Sequence, residues 1–169
     1  NTLYMVKQQD AVIIERLGKF NKVSKAGLHV KIPFIDMKAG NVNLRVRELP
    51  VEVETKTKDD VFVKIVVSVQ FFVIDEINGV KDSFYELNNP QQQIQSYVFD
   101  SIRSEVPLME LDDVFAEKEK IALAIKTELS DTMRQFGFDF IKALVTDIDP
   151  DAKVKNSMNE INAAKRLKE

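Results

Sequence analysis

Between Val61 and Val73 every second residue is apolar. Val61, Val63, Ile65, Val67, Val69, Phe71 and Val73 fall on one side of an extended chain, and Phe62, Lys64, Val66, Ser68, Gln70 and Phe72 on the other. So long a run of period two fits a β-strand that lays one face on a core, within an antiparallel sheet whose other face is mixed. The same period is present in Val42, Leu44 and Val46, and resumes after Pro50 in Val51, Val53 and Thr55. Thr57, Lys58, Asp59 and Asp60 then supply a polar turn. Residues 11–17 begin a strand that Gly18 interrupts, and Gly27 and Pro33 punctuate residues 23–36 into turns around a short strand.

The second half changes period. Asn89-Pro90-Gln91-Gln92 offers a capping side chain, a proline at the first helical position and a glutamine three residues after the cap, the arrangement of a capping box. Ile94, Val98 and Ile102 follow at intervals of four, and Pro107 stops the helix at or before Val106. A second helix is predicted to start at Asp112 or Asp113, to carry Ile121, Ile125, Leu129 and Met133 on one stripe, and to close at Gly137. Residues 138–149 read as a returning strand. After Pro150 a third helix is predicted, with Val154, Met158 and Ile161 as its apolar edge and no Gly or Pro to stop it.

This order predicts an α+β fold: an N-terminal antiparallel, curved sheet, then helices packed with a returning strand, ending in the start of a long helix. The loss of β-periodicity near residue 75 divides the chain into a strand-rich part (1–75), a helix-rich part (76–150) and the beginning of a coiled-coil helix (151–169). The first two are each small and are expected to share a packed interface.

Composition removes several functions. With 24 basic and 27 acidic residues the net charge is -3, without the strong positive field of a nucleic-acid binder. The absence of cysteine excludes disulfides, thiolate metal sites, cysteine nucleophiles and palmitoylation within these residues. His29 is the sole histidine, so no multi-histidine metal cluster is expected, and a serine triad would have only His29 as its base and no G-x-S-x-G elbow; His29, between Leu28 and Val30, reads as a structural or half-exposed residue. The five glycines are scattered and form no phosphate-cradling loop, leaving no motif for a nucleotide cofactor. No stretch approaches about 20 continuous apolar residues, so no transmembrane helix is expected. The chain opens with Asn1 rather than Met, so a processed or excised piece is expected, from which any anchor would have been cut away.

The acidic pairs have structural readings beside chemical ones. Asp59 and Asp60 sit where a turn favours carboxylates that bond backbone amides, the alternative being a metal or glycosidase-type pair. Asp112 and Asp113 sit where a helix start wants a cap. Asp147, Asp149 and Asp151 alternate like a calcium loop but lack its glycine and its distal glutamate. More informative is Lys31-Ile32-Pro33-Phe34-Ile35, an apolar cluster around a proline with Leu28 just before it. Core burial of some of these residues and peripheral contact with a membrane are both open to it.

Five ordered blocks carry a family resemblance: QQDAVIIERLGKF (8–20), AGLHVKIPFID (26–36), ETKTKDDVFVKIVVSVQFFV (54–73), IQSYVFDSIRSEVPLMELDDVFAEKEKIA (94–122) and GFDFIKALVTDIDPDAKVKNSMNEINAAKR (137–166). In these the chain resembles the SPFH superfamily of stomatins, prohibitins, flotillins and the bacterial regulators of the membrane AAA protease, and most of all the plant-type hypersensitive-induced-reaction proteins. The resemblance implies a non-enzymatic, membrane-associated scaffold, without cofactor, that assembles with copies of itself or related subunits into rings or cages. It implies organisation of a lipid patch and regulation of membrane proteins, a membrane protease among the candidate partners, with attachment peripheral or through a segment outside this chain. By position it implies that Leu28, Ile32, Pro33, Phe34 and Ile35 contact the membrane. It also implies that Val154, Met158 and Ile161 serve oligomerisation at the start of the long helix. Asp60 stands where members commonly have Asn. Two other functions compete: a soluble adaptor that binds a protein through the mixed face of the 61–73 strand, and a hydrolase using the acidic turn.

Overall fold

The computed structural model describes residues 2–151, so the predicted third helix, with Val154, Met158 and Ile161, lies outside the described residues. Seven strands come first: β1 (Leu3–Val6), β2 (Asp10–Arg16), β3 (Lys19–Ser24), β4 (Gly27–Val30), β5 (Asp36–Asn43), β6 (Arg47–Lys56) and β7 (Phe62–Val73). Helices α1 (Ile77–Tyr85), α2 (Pro90–Glu105), α3 (Leu111–Ala116) and α4 (Lys118–Met133) follow, and β8 (Phe138–Pro150) returns. The architecture is α+β, with an antiparallel, curved N-terminal sheet and packed helices.

Strand β7 is the centre. It pairs antiparallel with β6 on one edge and β8 on the other, joining strands from both sides of residue 75 in one sheet. Every alternate residue from Val61 to Val73 is buried. Against that face pack Ile94, Val98 and Ile102 of α2 and Ile121, Ile125, Leu129 and Met133 of α4, all within one core. Pro50 is tolerated because β6 is an edge strand, where a missing N–H breaks no ladder toward solvent.

The N-terminal region is built differently. β2 lies between β3 and β5, and both pairings slip register around Ile14, the kind of bulge that bends a ladder. A ribbon of β1 and β4 covers it, closing a second small core of Tyr4, Val6, Val12 and Ile14. Gly40 joins the two regions: a Cβ there would stand 2.5 Å from the Phe84 ring, so only glycine lets α1 rest against β5.

Several local expectations are corrected. The single helix expected from Asp112 or Asp113 is two, α3 and α4, separated at Glu117. It begins at Leu111, because Asp59 reaches across from the β6–β7 turn and accepts the Leu111 N–H at 3.1 Å, leaving Asp112 and Asp113 in the first turn. The alternation of Val42, Leu44 and Val46 does not continue one strand, since β5 ends at Asn43 and β6 starts at Arg47. Helix α1 carried no capping signal in the sequence, and its Glu76 cap makes no side-chain bond. The Asn89 cap does form, its Oδ1 accepting the Gln92 N–H at 3.1 Å, and Gly137 takes the expected left-handed turn at φ 85° before β8.

Ile125 is 1% exposed. Ile125→Asp is expected to destabilise the fold by more than the roughly 2–5 kcal/mol of a cavity-forming change, because a carboxylate is desolvated as well. Lys126→Ala should cost under about 0.5 kcal/mol. Chemical denaturation of the two variants measures the difference; equal midpoints would contradict the stripe.

Candidate membrane-contact surface

The β1–β4 ribbon has two unlike faces. Tyr4 and Val6 turn inward, the Tyr4 hydroxyl sharing a 2.5 Å hydrogen bond with the buried Ser24 hydroxyl. The register Leu3↔Val30 and Met5↔Leu28 then places those four residues together on the other face, where all are exposed. A ribbon alternates in this way whichever face is wet. Here the outward face is the apolar one, the reverse of what water selects.

From Val30 the chain runs straight into the 31–35 loop, tied down where Lys31 N–H donates to Thr2 O at 2.7 Å. Asp36 closes the loop. Its Oδ2 accepts the Ile32 N–H at 2.9 Å and its own N–H donates to Ile32 O at 3.0 Å. The Arg16 Nε–H donates to Asp36 Oδ1 at 2.8 Å. With its carboxylate almost wholly enclosed, Asp36 is held ionised by the Arg16 guanidinium, aided by the Ile32 N–H, and its pKa falls to about 2.

The closed loop lifts Phe34 entirely into solvent, at 105% of the exposure of a free residue, and holds it at φ 72°. Leu17, whose N–H donates to Ile35 O at 3.0 Å, is also exposed and left-handed, at φ 55°. Bulky apolar residues seldom adopt this conformation, which glycine takes without strain. Ile32, Pro33 and Leu28 are exposed, and Ile35 is half-buried. Among the five residues singled out from the sequence, four are therefore open to solvent and one is partly covered. The ribbon partners Leu3, Met5 and Val30, the turn residue Leu17 and the closing Asp36 were not singled out. Leu3-Tyr4-Met5-Val6 is apolar throughout, so the sequence marks a strand there without telling its two faces apart, and the Arg16–Asp36 pair is visible only after folding.

The acidic candidates are occupied otherwise. Asp59 accepts the Thr57 hydroxyl at 2.6 Å as well as the Leu111 N–H, and the Thr57 bond is the main reason its pKa is lowered. Asp60 lies exposed beside Lys56 at 3.2 Å. The His29 ring nitrogen donates to Lys25 O at 2.5 Å and the ring stacks on Tyr4. Among the described residues no group of three or more His, Asp or Glu is placed to hold a metal ion, and no helix is long and apolar enough to cross a membrane.

Residues 4–169 match the model of the SPFH domain / Band 7 family. The chain belongs to this family. Over 96% of its length it is 42% identical to hypersensitive-induced response protein 4 of Arabidopsis thaliana, covering 55% of that protein. It is 30% identical to an uncharacterized protein of Methanocaldococcus jannaschii, spanning 98% of this chain and 81% of the relative. It is 27% identical to the mitochondrial stomatin-like protein 2 of Homo sapiens, over 99% of this chain and 47% of that one. The chain thus spans about half the length of the plant and human relatives. Domains of the SPFH/Band 7 family are non-catalytic scaffold modules.

The Arg16–Asp36 pair predicts a pH dependence. A carboxylate whose folded pKa is depressed adds stability that is complete above its unfolded value of about 3.9 and is lost as pH falls toward about 2. Denaturation midpoints followed between those values should drop in the native chain, and Asp36→Asn should remove that part of the slope. An unchanged slope in the variant would show that Asp36 is not the group responsible.

Proposed function

We propose that this chain is the membrane-facing part of a non-enzymatic scaffold that assembles with copies of itself or related subunits into rings or cages. The observation that carries the reading is Phe34, fully exposed in a left-handed conformation and flanked by exposed apolar neighbours. A residue held in a strained conformation with nothing to pack against contributes little to the fold, and such strain persists where a contact outside the chain uses it. Leu28, Ile32, Pro33 and Phe34 enter the lipid boundary, with Ile35 at its edge. Insertion removes apolar area from water at about 25 cal/mol per Å². Each lysine nearby, Lys31 foremost, adds about 1 kcal/mol toward anionic headgroups.

One subunit gains weak, reversible attachment in this way, and a ring presenting many such loops to one surface multiplies it through effective concentration. The spacing of Val154, Met158 and Ile161 suits the seam of a continuing helix that would drive assembly. Residues 1–75 then carry the lipid contact and residues 76–150 connect it to that helix. Attachment is peripheral or shared with an anchor outside this chain, and membrane proteins, a membrane protease among them, are the partners such an assembly would regulate.

Phe34→Gly separates fold from function. Glycine relieves the left-handed strain, so thermal unfolding should stay within about 2 °C of the native value or rise. Flotation of the assembled protein with vesicles containing anionic lipid should fall several-fold, and further in Ile32→Ser with Phe34→Ser. Unaltered flotation together with a large loss of thermal stability would put these residues in the core and favour a soluble adaptor.

A further inference from the structure

Where the two regions meet, a cavity of about 290 Å³ opens between the end of β5, the start of β6, the C-terminal end of α1 and the first residue of α2. Its wall includes Arg47, Asn41, Asn43 and Asn88, with Phe84 and Phe138 as apolar floor, and no carboxylate lines it. Arg47 is half-buried and lies over the Phe71 ring at 5.0 Å. Its Nε is fully enclosed and has no hydrogen-bond partner, and among the described residues the guanidinium has no ion pair. Burial lowers its pKa, since nothing nearby offsets the loss of water.

This is an unusual state for an arginine. Arg16, Lys25, Lys56, Lys64 and Arg134 each have a carboxylate within 4 Å, and Arg45 and Arg103, which show no ion pair among the described residues, are exposed to water, whereas Arg47 is half-buried. A partly desolvated guanidinium without a counter-charge is costly, and that cost is offset when an oxyanion accepts two of its N–H groups side by side. The amides beside it complement the same ligand. Asn43 already spends its oxygen on the Arg45 N–H at 2.9 Å, which leaves its –NH₂ as the group it has to offer.

We propose that the Arg47 cavity is a binding site for a phosphate-type oxyanion, held bidentately by Arg47 with amide donors from the neighbouring asparagines. Bound there, the anion joins β5, β6 and the α1–α2 connection, and so fixes the strand-rich region against the helical one. The site stands apart from the apolar loop and does not depend on the membrane reading. The anion is free phosphate or a phosphomonoester lipid headgroup, which share the chemistry and are separated by the test.

The test is a titration of the full chain, isotopically labelled in arginine, with inorganic phosphate against sodium chloride of matched ionic strength. The expected result is a saturable shift of the Arg47 Nε–H resonance with a midpoint on the order of 1 mM. Phosphate should also raise the thermal midpoint by about 2–4 °C, an increment absent in Arg47→Met. If Arg47→Met does not fold, the resonance titration of the native chain decides. Vesicles containing phosphatidic acid that move the same resonance, with free phosphate competing, assign a lipid headgroup; a response to free phosphate alone assigns a soluble anion. No saturable shift from either source, or equal stabilisation of Arg47→Met by phosphate, overturns the proposal.

Discussion

Strand β7 is the member on which the rest of the molecule depends. Paired along both edges and apolar at each alternate position, it has one way to lie: its odd-numbered residues down on the helices, with β6 and β8 in fixed register beside it. A slip of one residue would turn that whole face into water. The outward positions relieve their charges locally, Lys64 lying 3.0 Å from Glu52, so the outer face adds little to stability and leaves the inner face to set the register. Because β6 and β7 precede residue 75 and β8 follows the helices, neither half is complete without the other.

The N-terminal region spends its conformational freedom in another way. Its bulged strands and the covering ribbon create two turns whose outermost residues, Leu17 and Phe34, are bulky, apolar and left-handed. Glycine would serve both turns better on steric grounds, as Gly18 and Gly27 do beside them. The Arg16–Asp36 pair is what keeps the second turn closed: a single carboxylate answers both the guanidinium and the Ile32 N–H. The residues that close the turn and the apolar residues that it exposes are thus different ones.

Much of this was legible in the residues. The period of two in 61–73, the stripes of α2 and α4, the Asn89 cap and the Gly137 stop are strong local signals, and each lies where the structure has it. The failures share a physical cause, dependence on contacts distant in sequence. The start of α3 is set by Asp59, fifty-two positions earlier, so the cap could not be read from Asp112 and Asp113 themselves. The length of β5 is set by pairing with β2, which ends at Asp10↔Asn43 and leaves Leu44 and Val46 without a partner strand despite their alternation. At the apolar loop the residues themselves were conspicuous, but a cluster around a proline leaves both core and surface open, and core burial is the more common fate of such residues. Only the positive φ of Phe34 and the ribbon register place it outside. Arg47 gave no signal at all, because an unanswered charge is a property of a folded neighbourhood.

We propose that the loop at Phe34 meets lipid when the assembled protein is on a membrane. Since the chain contains no cysteine, a single Phe34→Cys carries an environment-sensitive fluorophore without further changes. On vesicles with anionic lipid, the account predicts a blue-shifted emission that lipid-borne quenchers extinguish, while the same probe at the exposed position Thr127→Cys on α4 keeps its aqueous spectrum. Vesicle-bound protein whose probe at position 34 remains in water and beyond the reach of the quenchers would contradict it.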